Sequence, residues 1–307
     1  MIRIKPISVK GHYAIGETPP LADTSFVTRK YLNKPYANQS AAQRLDIYLP
    51  ESGDGPFPVI IAIHGGAFMG CDKADLQVLP MLHGLKRGYA VVSINYRMSG
   101  EAKFPALIMD AKAAVRWIRA NAAQYGFDPT CVAAWGGSAG GYLALMLGVS
   151  AGSKKLEDLS MGNADQPCNV QAVVSWFGPV NFLKMDDQLA ENGLLAPPGM
   201  RHNDPHAPEA LLLGGKITRI PARVRASNPE TYIHEVMPPF FLQHGTLDPV
   251  VPVQQSIEFA AKLINVLGPS KVTLEILENA VHADPKFEIE ENINKVLDFL
   301  DRNMMVK

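Results

Sequence analysis

Apolar residues in this chain fall into short, nearly unbroken runs separated by stretches with helical spacing. Pro58-Val59-Ile60-Ile61-Ala62-Ile63 and Ala90-Val91-Val92-Ser93-Ile94 read as strands covered on both faces. Leu45-Asp46-Ile47-Tyr48-Leu49 alternates with period two instead, the pattern of a half-buried antiparallel strand. Cys131–Trp135, Val170–Ser175, Pro239–Gln243 and Val272–Leu277 are further strand-like runs, the first entered from a turn at Asp128-Pro129. Between them, Leu107, Ala111, Ala114, Val115 and Ile118 share one face of a helix reaching to about Gln124. Phe287, Ile289, Ile293, Val296, Leu297 and Leu300 mark a closing helix in the same way. Alternation of this kind predicts an α/β domain, with a mostly parallel sheet between helices. Ligands are then expected beyond the C-terminal strand ends.

Two segments break the rhythm. Residues 1–40 show little periodicity and are expected to wrap the core as an N-terminal extension. Residues from about 177 to 238 separate two strands and include Ala196-Pro197-Pro198-Gly199-Met200. An insertion of that length is expected to form a partial cap over the site. With both segments included, residues 1–307 read as one domain.

Composition narrows the partners. The chain is 47% apolar, and its 29 basic and 30 acidic residues nearly cancel without forming runs. That balance argues against nucleic acid or an anionic membrane as the main partner. The N-terminal residues Met1–Pro6 lack the apolar stretch of a signal peptide, and no run reaches transmembrane length, so a cytoplasmic location is expected. Three scattered cysteines suggest neither a disulfide framework nor a metal site. Oligomeric state is left open, a homo-oligomer included.

The most specific local signal is Gly136-Gly137-Ser138-Ala139-Gly140. It follows the run ending at Trp135 and precedes the helix-forming Gly141-Tyr142-Leu143-Ala144-Leu145. A strand, a G-x-S-x-G turn and a helix make a nucleophile elbow, which presents the serine hydroxyl above the sheet edge. The letters recur at Gly148-Val149-Ser150-Ala151-Gly152, but no strand precedes that copy. Gly148 and Gly152 read there as helix stop and loop, and Ser150 as a surface residue.

A serine needs a base to take its proton and an acid to orient that base. In this arrangement the chain order is nucleophile, acid, histidine. Asp248 follows a strand, in His244-Gly245-Thr246-Leu247-Asp248-Pro249, and is the expected acid. His282 lies between the last strand and the last helix and is the expected base, with Asp284 as helix cap. His244 and His64 are expected to brace loops. The remaining histidines, His202 among them, show no comparable context. Ile63-His64-Gly65-Gly66-Ala67-Phe68 is a small-residue turn after a strand. The N–H groups of Gly66 and Ala67 are expected to join that of Ala139 in an oxyanion hole. Phe68, Met69, Phe177, Met185 and Leu189 are the expected acyl-pocket residues, with Leu194, Leu195 and Met200 nearby.

These residues together resemble the α/β-hydrolases of the esterase/lipase superfamily, from about Leu45 onward. His64–Phe68 resembles the H-G-G-G loop of hormone-sensitive-lipase-like esterases, with alanine in place of the third glycine. His244–Pro252, Asn95-Tyr96-Arg97, Phe104-Pro105-Ala106, Phe177–Phe182 and Asn228–Tyr232 are similar to bifunctional acetylxylan/feruloyl esterases. The resemblance implies an α/β-hydrolase fold: a mostly parallel eight-stranded sheet, helices on both faces and a partial cap. It implies Ser138, Asp248 and His282 as a triad, no cofactor and no metal. The expected substrates are small carboxylic esters, including acetyl or feruloyl esters of carbohydrates. Because such carbohydrate esterases are often secreted, the missing signal sequence favours a small imported ester. An amide or peptide hydrolase on the same fold, or a ligand receptor that keeps the pocket without turnover, are the alternatives.

Overall fold

A computed structural model describes residues 20–304. Eight strands form one sheet: β1 (Lys30–Pro35), β2 (Arg44–Tyr48), β3 (Phe57–Ile63), β4 (Ala90–Ile94), β5 (Phe127–Gly137), β6 (Ala172–Trp176), β7 (Phe240–Gly245) and β8 (Val272–Leu277). Their spatial order is β1-β2-β4-β3-β5-β6-β7-β8. The β1–β2 and β2–β4 pairs are antiparallel, and every later pair is parallel. The chain steps from β3 outward to β4, then crosses back to place β5 on the other side of β3. That reversal opens a crevice beyond the ends of β3 and β5, where this class of sheet binds its ligands.

Side-chain alternation sorts the strand residues into two cores. Val59, Ile61 and Ile63 of β3, Val132 and Ala134 of β5, and Phe240 and Leu242 of β7 face one way. They meet the helices Ala106–Ala120, Ala139–Val149 and Gln254–Leu267. Ile60, Ala62, Ala133, Trp135, Val174 and Phe241 face the other way and meet the closing helix Glu290–Met304. Strands buried on both faces require continuous apolar runs, which is why β3, β4 and β5 were legible.

Several local expectations need correcting. Residues 1–19 of the predicted extension lie outside the described residues, and the remainder contains a strand, β1. Asp128-Pro129 lies within β5 and not before it. Between Phe57↔Phe127 and Val59↔Val132 the register slips, so the turn chemistry there makes a bulge. Asp128 accepts from the Thr130 N–H at 2.8 Å inside that bulge. Ile289 is exposed rather than part of the closing helix's apolar face. The helix Ala106–Ala120 also buries charge: Lys112, Arg116 and Arg119 all point inward. Arg116 pairs with Glu157 at 2.9 Å, and Arg119 donates to the carbonyls of Pro129, Pro167 and Asn169. The long connection from Ser150 to Gln171 is thereby pinned to the domain without strands of its own.

The segment between β6 and β7 is folded. It carries the helices Met185–Glu191, Pro208–Leu213 and Pro221–Ser227. Gln255 accepts the N–H groups of Val180 and Asn181, and Asn192 and Gln254 exchange a reciprocal pair of amide hydrogen bonds. These contacts seat the segment against the N-terminal end of the helix Gln254–Leu267. No described helix is long and apolar enough to cross a membrane.

Candidate active site

Glycine makes the turn after β5 possible. A Cβ on Gly136 would run into the backbone of Gly140, and one on Gly140 into the carbonyl of Ile63 in β3. Ser138 sits between them with φ 54° and ψ −123°, a conformation that costs a non-glycine residue on the order of 1–3 kcal/mol. Its surroundings hold it there. The Ser138 N–H donates to Trp176 O at 2.9 Å, and all eleven residues of the following helix, Ala139–Val149, are buried. Gly140→Ala is expected to cost about 3 kcal/mol or more, because backbone on both sides cannot yield. Urea unfolding measures this, and an unchanged midpoint would mean that strand and helix lie further apart.

The three chain segments carrying Ser138, Asp248 and His282 converge beyond the sheet edge. Gly245 closes β7, and a Cβ there would strike the Ala280 backbone, so its absence lets the two loops touch. Leu247 N–H donates to Ala280 O at 2.9 Å and Asn279 N–H to the Thr246 hydroxyl at 2.8 Å. Across this zipped pair, His282 Nδ1 lies 2.7 Å from Asp248 Oδ2, and His282 Nε2 lies 3.0 Å from Ser138 Oγ. A carboxylate only accepts, so Nδ1 carries the ring proton and Nε2 is free to accept from the serine. Phe177 packs edge-on against the His282 ring, with centroids 4.7 Å apart.

Asp248 is fully buried, and its Oδ1 accepts the N–H groups of Val250 and Val251 at 2.8 Å each. Burial opposes its charge. The facing rings of His282 and His244 outweigh that and hold its carboxyl well below the usual carboxylate range. His244 is itself buried between Ser256 Oγ and Val251 O, both at 2.7 Å, and braces the loop.

The loop after β3 lies beside the elbow. A Cβ on Gly65 would sit 3.2 Å from that of Ser138. Gln77 accepts the Gly65 N–H at 2.7 Å. The Gly65 carbonyl is gripped by His64 Nδ1 at 2.9 Å and by the Tyr96 hydroxyl at 3.4 Å. In a planar trans peptide the Gly66 N–H must then point the opposite way. Gly66 has φ 103° and Ala67 φ 53°, so the chain curls here in the left-handed region. On the other side, the first intrahelical bond runs from Tyr142 N to Ser138 O at 2.9 Å. The Ala139 N–H precedes it and has no partner within the helix. Such donors suit a developing negative charge.

Other expected residues are placed differently. Ser150 is buried, not exposed, and its hydroxyl donates to Met146 O at 2.6 Å. Gly148 does not stop the helix. Its missing Cβ makes room for Val173 and Phe240. Phe68, Met185 and Leu189 are buried, with Phe68 packed against Tyr142 and Phe182. Met69, Leu194 and Met200 are half-buried, and Leu195 is 87% exposed. Cavities of about 420 Å³ and 340 Å³ lie elsewhere, and neither is lined by Ser138, Asp248 or His282. Sequence reasoning missed Gln77 and His202. Only their three-dimensional neighbours mark them.

Known proteins resemble this chain in sequence and in fold. Esterase LipQ of Mycobacterium tuberculosis is 32% identical over 251 residues, covering 81% of this chain and 56% of LipQ. The chain thus spans little more than half the length of the curated relatives it matches. A solved structure described as a truncated form of a carbohydrate esterase from gut microbiota superposes with a TM-score of 0.82. It is 31% identical and covers 94% of this chain and 100% of that one. The bifunctional GH43-CE of Bacteroides eggerthii gives a TM-score of 0.77 at 33% identity, covering 89% of this chain and 38% of that one. The fold is that of the α/β-hydrolases, and the BD-FAE family model matches residues 45–263; the chain belongs to the BD-FAE family.

Proposed function

We propose that the protein is a serine carboxylesterase in which Ser138, His282 and Asp248 form the triad and Gly66, Ala67 and Ala139 the oxyanion hole. The observation that carries this reading is the unbroken hydrogen-bonded chain from Ser138 Oγ through His282 to Asp248, at 3.0 and 2.7 Å. Ser138 Oγ attacks the ester carbonyl carbon while its proton passes to His282 Nε2. The carbonyl oxygen gains the negative charge and turns to the three N–H groups. Collapse of this adduct breaks the bond to the alcohol, which leaves with the proton from His282. Water then repeats the sequence on the acyl-enzyme and frees the acid. Losing one oxyanion donor is expected to cost ~3 kcal/mol of transition-state stabilisation.

Short-chain esters are the proposed substrates, acetyl or feruloyl esters of carbohydrates among them. Carbohydrate esterases of similar structure support the latter. The burial of Phe68, Met185 and Leu189 supports a shallow acyl site, because side chains already in the core offer no wall to a long chain. Residues 177–238 are proposed to act as a seated cap, supported by their bonds to Gln254 and Gln255. On an acyl series, each methylene that fits is expected to add about 0.8 kcal/mol, and overrunning ones nothing. Acetyl to butyryl esters are therefore expected to outperform long-chain ones, below the substrate's solubility limit. A p-nitrophenyl ester series with acetyl-sugar and feruloyl esters added tests this. Preference for chains of ten carbons or more, or turnover of amides alone, would reject it.

A further inference from the structure

His202 lies within the segment between β6 and β7 and is only 1% exposed. Its backbone N–H and that of Asn203 donate to the two oxygens of Asp186, at 2.9 Å each. Its ring spans two elements. Nδ1 lies 3.1 Å from Oε1 of Glu209, on the helix Pro208–Leu213, and Nε2 lies 2.9 Å from the carbonyl of Val250. With Glu209 as a carboxylate, both partners only accept, so both ring nitrogens donate and the ring is then an imidazolium. Glu209 is also buried, and its other oxygen has no partner among the described residues. His202 and Glu209 therefore depend on each other, since either ion buried alone is unfavourable.

The Val250 carbonyl belongs to the same peptide unit as the Val251 N–H, which donates to Asp248 Oδ1 at 2.8 Å. That unit is planar and trans, so its carbonyl and N–H point in opposite directions. His202 holds one end of a rigid plate and Asp248 the other. A donor on the carbonyl also polarises the unit and strengthens its N–H toward the carboxylate.

We propose that His202, charged and paired with Glu209, is a positioning residue that aims the Asp248 carboxylate at His282 through the Val250–Val251 peptide. The inference rests on the reading of Asp248 as the triad acid. Three acidic groups face the ring or its peptide from the packed elements: Glu209, Asp186 on the helix Met185–Glu191, and Asp248 on the loop after β7. Burial works against the ring's charge, but Glu209 and Asp186 outweigh it and hold its pKa above the ordinary histidine value. A raised pKa means the contacts are complete at low pH and are lost as pH rises through it. Positioning of Asp248 therefore fails on the alkaline side.

The test compares kcat/KM against pH, on a short-chain ester, for wild type, Glu209→Gln, His202→Gln and Asp248→Asn. Histidine-selective ¹⁵N spectra of the wild-type protein accompany it. Wild type is expected to lose activity at alkaline pH, and Glu209→Gln to move that limb to lower pH. His202→Gln is expected to remove the limb and lower kcat about 10- to 100-fold with little change in KM. The spectra are expected to show both His202 ring nitrogens holding their protons to higher pH than an ordinary histidine, a readout of the ring's charge that needs no variant to fold. A His202 ring that becomes neutral at or below the ordinary histidine pKa, or an alkaline limb unmoved in both variants while Asp248→Asn is inactive, would overturn the proposal. An active Asp248→Asn would instead overturn the triad reading on which it rests.

Discussion

Ser138→Ala is expected to lower kcat on the order of 10⁶-fold while leaving the fold intact. The alanine removes the attacking oxygen and nothing else, because the strained turn is set by Gly136, Gly140 and the buried helix that follows. Residual turnover would come from water attacking an ester still polarised by the loop donors. Ser150→Ala serves as the comparison. That hydroxyl is engaged with Met146 O inside the domain, so activity is expected to stay near wild type. Steady-state kinetics on a short-chain ester, with circular dichroism to verify folding, reads both variants. Substantial turnover in Ser138→Ala would remove the nucleophile from the account.

The second large effect concerns the other two members. His282→Ala is expected to approach the loss in Ser138→Ala, since the proton then has no acceptor within reach. Asp248→Asn is expected to cost about 10⁴-fold. The asparagine keeps an oxygen for the Val250 and Val251 N–H groups, so the loop holds its shape. Its amide facing Nδ1 would donate rather than accept, and the ring proton would be forced to Nε2, the atom that must accept from Ser138. Protonation of Asp248 is not expected to limit kcat/KM at mildly acidic pH, because its carboxyl is held well below the usual range. Full activity in His282→Ala, with loss in His244→Ala, would transfer the role to the other ring.

Much of this site is written locally, and the reason is geometric. An elbow needs small residues at fixed offsets, and the parallel strands around it need continuous apolar runs, so both leave marks in the linear chain. Asp248 and His282 follow strands, and the strand ends are readable. What stays hidden depends on partners distant in sequence. β1 is an edge strand with mostly exposed side chains and a register shift between Tyr31 and Lys34, so it carries no apolar rhythm. Asp128-Pro129 has the chemistry of a turn, and the sheet uses it as a bulge. Phe68 and Met185 are marked by hydrophobicity and position alone, and the structure buries both. His202 has an unremarkable local context because its partners, Glu209 and Val250, sit 7 and 48 residues away. Gln77 reaches the loop after β3 from 12 residues downstream. Hydrophobic pattern reveals elements. Polar positioning appears only after those elements have packed.

The central claim is that Ser138 forms the covalent intermediate, and mapping a covalent adduct tests it most directly. Wild-type protein treated with a fluorophosphonate and then digested is expected to carry one adduct, on the peptide containing Ser138. Excess short-chain ester should slow its formation, and Ser138→Ala should show none. An adduct on any other residue, or labelling that persists in Ser138→Ala, would contradict the account.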